Sequence, residues 1–181
     1  MKRMLTAVTV CLLMCGGLWA QTTPPTTPSP TPDRSGAMHS APSGQEFVTK
    51  VVVSDLFEIE SSQLALSKQP NQSTKSFAER MVTDHQKTSS ELKSLVQSGQ
   101  VKADLPAKLD AEHQKMLDEL KAKNGNEFAQ DYHRIQVKAH EDAVALFTAY
   151  STSGDIEQLK AWAGRTLPHL KEHLSLAQQL K

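Results

Sequence analysis

Between residues 45 and 181 apolar side chains recur every three or four positions, and nowhere do β-branched residues alternate over the length of a strand. That period is the signature of helices with one buried face, and it restricts this part of the chain to an all-α fold. Five helical segments follow from it. "SGQE" at Ser43–Glu46 has the spacing of a capping box, and Val48, Val52, Leu56 and Ile59 continue a first stripe toward Pro70. A second helix covers about Asn71 to Ser98 and stops at Gly99, a residue suited to a left-handed cap. A shorter third begins near Asp104 and Pro106 and breaks at "NGN" around Gly125. The fourth runs from about Glu127 to Thr152 with Phe128, Tyr132, Ile135, Ala139, Ala143, Leu146 and Tyr150 on one side, and the fifth spans about Asp155 to Leu180.

Two long hairpins joined by a connection that holds a short helix have the connectivity of a ferritin-like four-helix bundle, with the extra helix in the crossover. A plain up-down arrangement is the alternative. The expected organisation is a signal peptide at 1–20, a Thr/Pro-rich disordered tether at 21–44 and the helical domain at 45–181.

The leader reading rests on Lys2 and Arg3, the apolar run Leu5–Leu18 and the small residue Ala20. It implies export to the periplasm or cell envelope of a bacterium. Both cysteines, Cys11 and Cys15, fall inside the leader, so the mature chain would offer neither a disulfide nor a thiolate ligand. Residues 21–45 hold six of the nine prolines and little apolar bulk, which favours an extended tether and an envelope association through it. The full chain carries 20 basic and 20 acidic residues; without Lys2 and Arg3 the balance is 18 against 20. With no basic block and few aromatics, nucleic acid is excluded as a partner, and no run after Ala20 has membrane-spanning length. Protein partners cannot be read from the chain.

No glycine-rich phosphate loop, nucleophile elbow or zinc-protease pair is present, and no nucleophile with an activating base is visible, so the reading leans away from an enzyme. Histidine stands out instead. Of seven, six lie in the helical region: His85, His113, His133, His140, His169 and His173. Asp84 and His85 interrupt an apolar stripe of Phe77, Met81, Leu92 and Leu95. In a bundle of helices one, two, four and five, Glu58, His85, His140 and His173 come one from each, the pattern of metal sites built inside bundles. The di-iron form requires Glu-x-x-His twice, and no glutamate here has a histidine three residues later; "DAEH" at Asp110–His113 is the nearest approach. "LPHLKEHL" sets His169 and His173 four apart, a spacing that lets two neutral imidazoles hold one zinc, copper or iron ion. Counting levels from the turn near Ser153 favours His169 opposite His140. Glu58, His85, His140, His169 and His173 are thus the candidate metal ligands. The competing reading is a buried histidine–carboxylate hydrogen-bond network in a non-catalytic interaction module.

"EIE" at Glu58, "FAERMVTDH" at Phe77, "LP" at Leu105, "AHEDAVALF" at Ala139 and "LPHLKEHL" at Leu167 resemble the exported bacterial domain-of-unknown-function family 4142, from about Gln45 to Lys181. The resemblance implies a ferritin-like fold and picks out Glu58, Asp84, His85, His140, Glu141, Pro168 and His173, with Asp84 and Glu141 in supporting positions. Ala129 departs from it, standing where that family usually has aspartate.

Overall fold

The computed structural model describes residues 41–180; the expected leader at 1–20 and the expected tether as far as residue 40 lie outside the described residues. Five α-helices and no strand occur among the described residues: α1 (Gly44–Ser67), α2 (Gln72–Gln97), α3 (Ala111–Lys121), α4 (Gly125–Ser153) and α5 (Glu157–Ala177). None of them is long and apolar enough to cross a membrane. The helices α1 and α2 pack along each other as one antiparallel hairpin and α4 and α5 as another; α3 lies against α1 and α4, and the α2–α5 contact is sparse.

Local chemistry fixes the helix ends. Ser43 and Glu46 form the capping box, with the Ser43 amide donating to Glu46 at 2.9 Å and the Glu46 amide to the Ser43 hydroxyl at 3.3 Å. Gly99 ends α2 at φ +75°, and the Val101 amide donates to the Leu95 carbonyl at 3.1 Å. The third helix starts later than its apolar pattern implies, because Asp110 is its N-cap and accepts from the His113 amide at 2.8 Å. "DAEH" is therefore a cap, and its Asp110 carboxylate also takes the His113 Nδ1 at 2.8 Å. Pro168 lies inside α5 without ending it; its missing N–H removes one donor from the ladder, the one that would meet the Gly164 carbonyl.

Apolar side chains collect at two ends. One cluster holds Phe47, Val51, Leu92, Phe147, Tyr150, Leu159, Trp162 and Leu170, with Phe47 stacked on Tyr150 at 4.0 Å and edge-on to Phe147 at 5.1 Å. The other holds Ala65, Phe77, Met81, Phe128, Tyr132, Ala177 and Leu180. Between these clusters lie the buried polar residues Asp55, Glu58, Ser61 and Ser62 on α1, His85 on α2, Gln136 and His140 on α4 and His173 on α5, while Val53 and Phe57 are the buried apolar residues at the same levels of α1, Phe57 packing in a third cluster with Leu109 and Leu117. The middle of the core therefore holds a polar layer.

That layer corrects the apolar stripes read from the sequence. On α1 the buried face is Val48, Val51, Asp55, Glu58 and Ser62, one position back from Val52, Leu56 and Ile59, which are only half-buried. On α4 it is Gln136 and His140, one position on from the half-buried Ile135 and Ala139. One position is about 100° of helix rotation. Hydropathy follows apolar side chains, and here the buried faces of both helices include polar ones.

Candidate functional site

Three rings meet in the polar layer. His85 and His140 centroids are 5.8 Å apart, His85 and His173 5.6 Å, and His140 and His173 5.4 Å. Each offers one ligating nitrogen, all within 4.8 Å of one another. The three side chains are buried, at 4%, 1% and 2% exposure for His85, His140 and His173.

Each ring is held by its other nitrogen. His85 Nδ1 donates to Asp55 Oδ1 at 2.7 Å, and Ser89 donates to the second oxygen of Asp55 at 3.0 Å. His140 Nδ1 donates to the Gln136 carbonyl at 2.8 Å. His173 Nε2 donates to Asp84 Oδ2 at 2.8 Å, an oxygen that also accepts from Arg80 at 3.2 Å. A backbone carbonyl can only accept, so His140 carries its proton on Nδ1, and ionised Asp55 and Asp84 set the corresponding tautomers of His85 and His173. In the neutral form of each ring the remaining nitrogen, His85 Nε2, His140 Nε2 or His173 Nδ1, presents a lone pair. All three are buried and have no hydrogen-bond partner among the described residues; the same holds for both oxygens of Glu58 and for Gln136 Oε1.

The electrostatics follow from burial and from these partners. Burial pulls His173 down to about 4, against the opposing pull of the Asp84 bond. Burial likewise lowers His140, although the Glu58 charge acts the other way. Burial also works to lower His85, but the Asp55 hydrogen bond and charge outweigh it and the net direction is up. Asp55 is raised by burial despite the His85 bond. Asp84 is half-exposed; burial works to raise it, but the hydrogen bonds from His173 and Arg80 outweigh that and hold it below the usual carboxylate range. Glu58 is 1% exposed, and its charge acts on both His85 and His140.

Of the candidate ligands, Glu58, His85, His140 and His173 all enter this layer, while His169 is exposed, as is Glu141, named as a supporting residue. The level count preferred His169 because it considered height alone. The buried stripe of α5 runs through Leu159, Trp162, Ala163, Leu170, His173 and Ala177, and His169 lies just outside its edge. Asp84 supports His173 as a hydrogen-bond acceptor. Asp55 is the residue that the sequence reading missed, and its only signal was a carboxylate at the position where α1 needed a core residue.

Fold and site together define an all-helical protein with a buried histidine–carboxylate cluster. The chain belongs to the family described as Domain of unknown function (DUF4142), which matches residues 28–180 and so begins upstream of α1. Neither a curated protein nor a solved structure matches the chain.

Proposed function

We propose that this protein is an exported metal-binding bundle in which His85, His140, His173 and Glu58 hold one transition-metal ion, zinc, copper or iron, in metal handling or a stress response. The observation that carries it is the convergence of three buried imidazoles, each with one unpartnered nitrogen and with one ligating nitrogen each within 4.8 Å of the others, in a layer that also holds the buried Glu58 carboxylate, unpartnered among the described residues. Leaving such atoms unpaired costs on the order of 1–3 kcal/mol each, and a divalent cation satisfies all of them together. The donor set of neutral imidazoles and one carboxylate suits these metals. Asp55, Asp84 and the Gln136 carbonyl stand where outer partners of metal-bound histidines stand, fixing tautomer and ring orientation.

The pairing of α1 with α2 and α4 with α5, with α3 in the connection, supports a ferritin-like four-helix bundle. Export to the periplasm or cell envelope rests on the leader-like residues 1–20. The rival reading, a hydrogen-bond network that fixes helix register, accounts for one nitrogen of each histidine and leaves the other three without a role.

Titrating metal-free protein with zinc, copper(II) or iron(II) tests the proposal. A bound ion at about 100 times its dissociation constant adds about 2.7 kcal/mol, which raises the thermal midpoint by roughly 5–10 °C. His140→Ala should abolish that rise. A wild-type midpoint indifferent to all three metals would leave only the structural network.

A further inference from the structure

The exposed His169 stands at the mouth of a groove that leads to the buried histidines. This groove, between α2 and α5, encloses about 210 Å³ and is lined by Asp84, His85, Thr88, Trp162, His169 and His173, among others. His85 and His173 both show on it, and His169 precedes His173 by four residues, or about 6 Å of helical rise. The opposite wall carries Asp84, half-exposed and bonded to both Arg80 and His173.

A second groove is larger, about 560 Å³, and runs between α1, α3 and α4. Its wall joins Val53, Phe57, Ile135 and Ala143 to Asp110, His113 and Asp142, and of the three clustered histidines it reaches only His85, beside Asp55. The α2–α5 groove reaches both His85 and His173, and Asp84, Glu91 and His169 line it as well.

We propose that His169 is a capture site for a hydrated divalent transition-metal ion, which passes from it through the α2–α5 groove to His173 and His85. The inference rests on the metal reading given above. Imidazole replaces water on the ion at the groove mouth, and the inner imidazoles replace His169 and further waters as the ion moves inward. The water returns to solvent and the oxidation state does not change. Stepwise exchange spreads the cost of dehydration, so His169 sets the rate of uptake without belonging to the final ligand set. Its place outside the buried stripe of α5 is what such a role requires.

Stopped-flow mixing of the metal-free full chain with cobalt(II), followed by visible absorbance, tests this. For His169→Ala we expect association and dissociation rate constants both to fall at least five-fold, with the dissociation constant unchanged within two-fold. His169→Asp, which restores a ligand, should recover the fast rates. Ala143→Leu, which narrows the larger groove, should leave both rates at wild-type values. Unchanged rates in His169→Ala would overturn the proposal. So would weakened equilibrium binding at an unchanged association rate, which would make His169 a final ligand. Slowing by Ala143→Leu but not by His169→Ala would route the ion through the larger groove. Wild-type protein that takes up no cobalt(II) would instead overturn the metal reading itself, and this inference with it.

Discussion

The ends of the helical domain and its midsection are built on the same four long helices, yet they treat buried polar groups differently. At the Phe47 end, the Tyr150 hydroxyl donates to Asp155 at 2.8 Å and Trp162 Nε1 donates to Glu91 at 3.0 Å. At the Phe77 end, Tyr132 and Ser62 share a hydrogen bond of 2.9 Å. Each polar tip in these aromatic clusters has a partner. In the midsection, three imidazole nitrogens, two Glu58 oxygens and one Gln136 oxygen have none among the described residues. The ends pair their polar tips and the midsection forgoes part of that stabilisation, a departure that folds concentrate at functional or strained places.

The largest effect that sharpens this contrast belongs to the ends. Phe47 is fully buried against Tyr150, Phe147 and Trp162, so Phe47→Ala should cost about 3–5 kcal/mol in denaturant unfolding. The loss should be the same with and without metal. A metal-dependent loss would blur the division between the two regions.

His140→Leu should behave in the opposite way. It removes a buried nitrogen that lacks a partner, so the metal-free protein should keep its stability or gain slightly. The metal-loaded protein should lose its ligand-derived increment, about 3 kcal/mol at 100-fold excess over the dissociation constant. Parallel unfolding curves with and without zinc separate the two effects. A large loss in the metal-free state would mean that His140 is a stabilising member of a network.

Acid distinguishes the two His–Asp pairs. His173 has an ordinary pKa of 6.5 and a folded value of about 4, so between those values the unfolded chain binds the extra proton. Stability contributed by neutral His173 is therefore full above about pH 6.5 and is lost as pH falls toward 4, roughly 3 kcal/mol in all. His85 runs the other way. Its raised pKa adds stability that is present below pH 6.5 and lost as pH rises through the folded value. Thermal midpoints of the metal-free chain should thus fall on acidification, and more steeply in Asp55→Asn, where the opposing contribution is removed. Equal slopes in the two proteins would contradict the pairing.

Outer partners should matter less than ligands. Asp84→Asn should weaken metal affinity by roughly 10–100-fold, or about 1.4–2.7 kcal/mol, with an unchanged number of ions bound. The smallest effect should come from Glu141→Ala. Glu141 is exposed, and its removal should change stability by less than about 0.5 kcal/mol and leave metal binding unaltered.

Much of this was legible in the chain because helices announce themselves through period and caps. Ser43–Glu46, Asn71 and Gly99 mark their ends by local chemistry alone. His85, His140, His173 and Glu58 could be placed together because each lies well inside a different long helix. Rotation was harder to read. Apolar pattern assigns the inward face by hydropathy, and the buried faces of α1 and α4 include the polar residues Asp55, Glu58, Gln136 and His140. That is why Asp55 is missed and why height alone sets His169 opposite His140 while His173 stays a candidate beside it. Asp110 shows the converse: a carboxylate three residues before a histidine looked like half of a metal motif, and it is a helix cap.

X-ray absorption on the purified chain loaded with zinc, together with a count of ions per chain, decides whether the histidine cluster holds metal. We expect one ion per chain, bound by three imidazole nitrogens at about 2.0–2.1 Å and by a carboxylate oxygen. A chain that retains no ion, or an ion surrounded by oxygen with no imidazole scattering, would contradict it.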